Sequence, residues 1–163
     1  MRKSNWPYVI LILTIGAAIL IISNYRFNYS NSEPIGIWRL TSIYHSVKRG
    51  DHVALCHNII KKNKTARCYP FLIKTVVGIP GDKIIINNQG VEINQKLLAH
   101  SQILSSQKSI YTTQTMVTLP IHYYWVYGSN NPYFSNDSRY FGPVNDTDII
   151  AITYPVILYH RHQ

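Results

Sequence analysis

The sequence predicts a mainly β protein of antiparallel strands standing on one N-terminal transmembrane helix. Three observations carry that reading. Short apolar or alternating runs recur at residues 53–56, 71–77, 83–87, 91–93, 116–119, 123–127, 149–154 and 156–159, parted by turn residues such as Pro80-Gly81 and Asn87-Asn88. Thirteen tyrosines stand beside four phenylalanines and two methionines, and aromatic side chains suit pleated surfaces. A charge-free apolar run fills residues 6–22. The 163 residues fit one domain, and 46% apolar content excludes disordered, collagen-like and low-complexity chains.

From the N-terminus, residues 1–5 carry two positive charges, and Trp6 opens the apolar run that Asn24, Tyr25 and Arg26 close. A helix needs roughly 20 residues to cross a bilayer, with about 17 as the lower limit. Trp6, Tyr8 and Tyr25 stand where an interfacial aromatic belt would lie, and the leading charges place the N-terminus in the cytoplasm. A cleaved signal peptide competes with this reading, but its apolar core would be shorter and would end at small residues; here the exit is bulky. The expected division is therefore residues 1–26 as cytoplasmic N-terminus and anchor, and 27–163 as an extracytoplasmic body in an oxidising space.

In that body, Asn87-Asn88-Gln89-Gly90 reads as a hairpin connection. Residues 98–115 are polar and weakly patterned, a surface excursion. Cys56 and Cys68, twelve positions apart, are a candidate disulfide, with two buried thiols as the alternative. The seven histidines are scattered, and His160 and His162 at the tail read as solvent-exposed. The chain carries 16 Lys and Arg against 7 Asp and Glu, a net charge of +9. That balance permits nucleic acid or anionic lipid as a partner. The charge is dispersed, with no basic stripe or recognition motif, which argues against nucleic acid.

Three segments could carry chemistry. Asn28-Tyr29-Ser30-Asn31-Ser32-Glu33-Pro34-Ile35-Gly36 follows the anchor and by itself reads as a polar linker. In Phe71-Leu72-Ile73-Lys74-Thr75-Val76-Val77, strand alternation puts Leu72, Lys74 and Val76 on one face, and both faces are largely apolar. A lysine near pKa 10.4 is a poor base at neutral pH, but burial can lower it by roughly 3–5 pH units. A desolvated Lys74 could then take a proton from a serine; an edge-strand lysine that snorkels to water is the alternative. The third segment, residues 128–144, is a loop dense in Ser, Asn and Asp in which Asp137 and Arg139 could form a structural ion pair.

Taken together, Ser32-Glu33-Pro34-Ile35-Gly36, Lys74-Thr75-Val76-Val77-Gly78-Ile79-Pro80-Gly81-Asp82 and Asp137-Ser138-Arg139-Tyr140-Phe141-Gly142 resemble the boxes of the bacterial type I signal peptidases, specifically the TraF-like peptidases of conjugative transfer systems. The resemblance implies a signal-peptidase-like catalytic domain with Ser32 as nucleophile and Lys74 as general base. Ser30 would lend its hydroxyl to the oxyanion hole beside the Ser32 N–H, Ser135 would orient the lysine amine, and Asp137 and Arg139 would hold the loop near the site. Two departures stand out. Gly128-Ser129-Asn130-Asn131 replaces the family's Gly-Asp-Asn-Arg, and Glu33 follows the nucleophile, where a carboxylate opposes a developing oxyanion.

The function implied is a Ser/Lys endopeptidase, anchored in the bacterial inner membrane with its body on the periplasmic face. It would process an exported precursor, a conjugative pilin first among candidates, with cyclisation of the product as a further step in this branch. Its expected partners are that precursor, the lipid bilayer and other conjugative transfer proteins; no metal or cofactor is required. A general signal peptidase acting on many secretory precursors and a non-catalytic scaffold of the transfer apparatus are the competing readings.

Overall fold

A computed structural model describes residues 5–43, 46–56, 71–104, 106–107, 109–111 and 114–159. The apolar run forms helix α1, Trp6–Ile22, 17 residues with a proline in its first turn, where a missing N–H breaks no helical bond. At 1.5 Å per residue it is about 25 Å long. Its large apolar side chains are exposed, Trp6 by 73% and Ile22 by 67%, with no sheet packed over them. Among the described residues no helix is long and apolar enough to cross a membrane.

Two strands to which the sequence reading assigns no element flank the segment it reads as a polar linker: β1 (Tyr25–Asn28) and β2 (Gly36–Thr41). They pair antiparallel with Asn28 opposite Gly36, so residues 29–35 form a loop closed at its base. Each strand mixes exposed and buried positions too briefly for alternation to show; Trp38, fully buried in β2, anchors the pair. The remaining strands are β3 (His52–Leu55), β4 (Leu72–Gly78), β5 (Lys83–Asn87), β6 (Gly90–Ile93), β7 (Lys96–Leu97), β8 (Thr115–Thr118), β9 (Tyr123–Tyr127), β10 (Val144–Asn145) and β11 (Ile149–Leu158). A short helix α2, Ser138–Phe141, lies between β9 and β10.

Seven strands form one sheet in the order β1-β2-β11-β3-β4-β9-β10, and four form a second in the order β7-β6-β5-β8, all antiparallel. The expected hairpin joins β5 to β6. The two runs expected at 149–154 and 156–159 are a single strand, β11. It passes through Pro155 because the register against β2 shifts between Pro155 and Ile157, where the ladder does not need the missing N–H. The polar stretch 98–115 is less peripheral than expected, since Ser101 is fully buried and Tyr111 lies against Trp125. Val53, Leu55, Val76, Val126 and Ile149 build the core of the large sheet, and Ile84, Ile86, Val91, Leu119 and Trp125 that of the small one. Cys56 is buried just after β3, whereas Cys68, like His160 and His162, lies outside the described residues.

Candidate active site

The 29–35 loop is held from within by Asn28. Its amide nitrogen faces the carbonyl oxygens of Ser30 at 3.0 Å, Glu33 at 3.1 Å and Pro34 at 3.0 Å, and its side-chain oxygen accepts the Ser30 N–H at 3.1 Å. From outside, the Trp38 indole donates to the Pro34 carbonyl, and the Asn130 N–H donates to that of Ser32 at 3.1 Å. A polar segment that sequence alone reads as a linker is thus a fixed turn, with Ser32 only 2% exposed.

Lys74 projects from the middle of β4, which runs between β3 and β9 with Lys74 opposite Val53. It is 2% exposed, so the snorkelling alternative does not hold. Its Nζ donates to Ser32 Oγ at 2.6 Å. Burial pushes the amine down from 10.5 to about 8, against the pull of the Asp137 and Glu33 carboxylates and with a smaller push from Arg139. Near neutrality a useful fraction of such an amine is unprotonated, with a lone pair facing the serine hydroxyl. Ser30 Oγ lies 3.0 Å from Ser32 Oγ and accepts the Ser32 N–H at 3.4 Å, so hydroxyl and amide sit together beside Ser32 Oγ.

The third segment packs beneath this pair. Asp137 and Arg139 are both fully buried and form an ion pair at 2.8 Å. The Asp137 carboxylate also accepts the Gly128 N–H at 3.0 Å, and the guanidinium donates to the carbonyls of Pro132 at 2.6 Å and Gln102 at 3.2 Å. The guanidinium lies over the Tyr127 and Tyr140 rings, 4.8 and 5.1 Å from their centroids. The pair fixes where Gly128 runs, and Gly128 touches both Ser135 and Ser32; a Cβ there would overlap the Ser135 side chain and stand 3.1 Å from Ser32 Cβ. Ser135 is fully buried beside the site, but its hydroxyl finds no hydrogen-bond partner among the described residues, the Lys74 amine included.

Glu33 behaves differently from the sequence expectation of a carboxylate beside an oxyanion. It is fully buried and turned toward the neighbour of Lys74 on β4, accepting from Thr75 Oγ1 at 2.9 Å, Ser129 Oγ at 2.8 Å and Ser129 N–H at 3.2 Å. Strand alternation puts Thr75 on the face of β4 opposite Lys74. Asn28, Glu33, Thr75, Ser129 and Asn130 are the site residues to which sequence reasoning gave no role. A polar Asn ending an otherwise strand-like stretch was the one local signal for Asn28.

A cavity of about 450 Å³ opens beside Ser30 and Ser32, walled by Phe27, Tyr29, Phe71 and Leu72. One of its walls is β1, an edge strand of the large sheet. An extended peptide could pair there and bring a carbonyl to Ser32.

The chain matches known proteins over most of its length. The chain is 29% identical over 157 residues to the conjugal transfer protein TraF of Agrobacterium tumefaciens strain 15955, covering 88% of each chain. It is 28% identical over 170 residues to the plasmid transfer protein TraF of Escherichia coli, covering 87% of this chain and 90% of the other. Among solved structures, a signal peptidase I from Enterococcus faecalis V583 is 22% identical and aligns over 66% of this chain and 97% of its own, with a TM-score of 0.42. The family described as signal peptidase, peptidase S26, matches residues 3–157, a span that takes in the serine loop, Lys74 and the Asp137–Arg139 pair. On that match the chain belongs to the peptidase S26 family of signal peptidases.

Proposed function

We propose that this chain is a membrane-anchored serine endopeptidase in which Ser32 and Lys74 form the catalytic pair, and that it processes an exported precursor of a conjugative transfer system, a pilin subunit above all. The observation that carries the reading is the 2.6 Å contact between a buried lysine amine and the Ser32 hydroxyl. The neutral amine takes the Ser32 proton as Oγ attacks the scissile carbonyl, and returns it to the departing amine. The oxyanion is met by the Ser32 N–H and the Ser30 hydroxyl, which lie together beside Oγ. Water, activated by the same lysine, then releases the acyl-enzyme. Ser135, buried and unpaired, is the donor available to orient the amine through this cycle.

The relatives named as conjugal and plasmid transfer proteins support the substrate class. The anchor reading rests on α1, apolar on all sides and uncovered by protein, with Trp6 and Tyr8 at one end and Tyr25 beyond the other. Exposed Phe27, Tyr29, Val156, Ile157 and Tyr159 continue that apolar surface on β1 and β11 and just beyond them, as a body resting on the periplasmic face of the inner membrane would require. Ser32 follows the end of α1 by ten residues, which keeps it near a membrane-tethered precursor.

The test is the intact mass of the pilin precursor co-expressed with this chain or with its Lys74→Ala form. Loss of a terminal segment only with the unmodified chain supports the peptidase, and a product one water lighter adds cyclisation. Equal masses in both samples, repeated with secretory precursors, refute it in favour of a scaffold.

A further inference from the structure

The chemistry proposed above leaves Glu33 without a task, although a fully buried carboxylate is expensive to keep. Its hydrogen-bond partners are two hydroxyls and one amide, all neutral. Among the described residues the basic side chain that comes within 4.0 Å of its carboxylate is His52 on β3, whose Nε2 lies 3.7 Å away, beyond hydrogen-bond length, with its ring tilted against Trp38. Apolar residues of similar size could fill the space without the desolvation penalty. What a carboxylate adds is a set of acceptors reaching three segments at once: the serine loop, β4 through Thr75 and the loop after β9 through Ser129. Thr75 Oγ1 and Ser129 Oγ lie 3.0 Å apart, side by side on the carboxylate to which both hydroxyls donate.

We propose that Glu33 is a positioning residue for the Ser32–Lys74 pair: its buried carboxylate locks the serine loop against β4 and the loop after β9, and its negative charge acts on the site across the strand. The proposal rests on reading Ser32 and Lys74 as nucleophile and base. The serine that must meet the lysine precedes Glu33 in the chain, and the lysine precedes Thr75, so the Glu33–Thr75 bond sets the spacing of the two reactive groups from the opposite face of the strand. Electrostatically, Lys74 lies between opposing influences. Burial and Arg139 favour loss of its proton, while Asp137 and Glu33 favour retention. Glu33 itself is faced by His52 from β3, while Lys74 leaves β4 on the other face. Removing its charge should therefore make Lys74 more acidic, and removing its hydrogen-bond donors should loosen the geometry while leaving that acidity in place.

The experiment uses the full chain in detergent, with lysine side chains carbon-13 labelled and the Lys74 resonance identified by its absence in Lys74→Ala. In Glu33→Gln, which keeps the shape and an acceptor oxygen, the Lys74 titration midpoint should move to lower pH by roughly one to two units, the order that one charge about 6–10 Å away produces at an effective dielectric near 20. The low-pH limb of kcat/KM for precursor cleavage should move with it, with KM little changed. The Thr75→Val, Ser129→Ala double variant should keep the midpoint and lose roughly tenfold in kcat, as a misplaced reacting pair does. An unmoved Lys74 midpoint in Glu33→Gln overturns the electrostatic half of the proposal, and full kcat in the double variant overturns the positioning half. If Glu33→Gln does not fold, Glu33→Asp, one methylene shorter, decides the matter: a lowered kcat with an unmoved midpoint supports the clamp, and unaltered kinetics refute it. Absence of cleavage by the unmodified chain refutes the peptidase reading, and the resonance titration still decides whether Glu33 acts on Lys74.

Discussion

Replacing Lys74 with methionine should make the protein more stable at neutral pH while destroying its activity. A free lysine holds its proton to 10.5, whereas burial brings Lys74 down to about 8 in the folded chain. Below about 8 the amine is charged in both states, and the folded state carries the whole penalty of keeping it from water. Between about 8 and 10.5 the unfolded chain binds a proton that the folded chain does not, so stability rises with pH across that window. Above 10.5 the amine is neutral in both states and the penalty is gone. A gap of about 2.5 pH units corresponds to about 3 kcal/mol. Methionine fills much of the same volume and does not titrate. It gives up the bond to Ser32, a pH-independent loss of about 1 kcal/mol. The expected advantage of Lys74→Met is thus about 2 kcal/mol near pH 7, falling to a slight disadvantage above pH 10.5. Urea unfolding of both proteins in the same detergent, at several pH values from 6.5 to 10.5 and with equal m values, measures the difference; the tyrosines and other lysines titrate in both and cancel. A stability difference that stays flat across this range would refute the argument, because Lys74 would then not be releasing its proton early in the folded state.

Other expectations follow from the same contacts. The rate constant kcat/KM for cleavage should rise with pH to a plateau with a midpoint near 8, because only neutral Lys74 accepts the serine proton; a profile level from pH 6 to 9 would exclude Lys74 as the base. Asp137→Asn strands the buried Arg139 guanidinium without its counter-charge and should destabilise the fold by about 3–5 kcal/mol, read as a lowered urea midpoint. Gly128→Ala introduces a methyl that meets Ser135 and crowds Ser32, so a folded variant should lose on the order of 10²-fold in cleavage, measured against its circular dichroism. Asn28→Ala removes the bonds that its amide makes inside the 29–35 loop and should lower both kcat and the thermal midpoint, with a loss of about 1–3 kcal/mol in stability.

The legible part of the site was Lys74. A lone charge within an apolar run of strand length already poses the question of what it does there, and alternation places it with Leu72 and Val76. Ser32 was legible only through its resemblance to a family pattern. What makes it more than a linker serine is the pairing of β1 with β2 and the Asn28 bonds inside the loop, and neither strand is long enough to show its period. Glu33 was read with the wrong emphasis because its surroundings come from Thr75 and Ser129, 42 and 96 positions away, and no local rule tells which way a side chain in an irregular loop will turn. Pro155 misled for a related reason. A proline ordinarily stops a strand, and only the register shift against β2 shows that this one does not. Ser135 lies against Gly128, as Ser32 does, yet the bond expected from its hydroxyl to the lysine amine is not made among the described residues.

The sheet order carries one more consequence. β11 lies between the β1–β2 pair, which presents Ser32, and β3–β4, which presents Lys74. A nascent chain halted before Ile149 would contain both reactive residues without the seam that unites their two halves. This last strand is therefore what joins the two halves of the Ser32–Lys74 contact, and two fragments divided before Ile149 should regain that contact only by complementation.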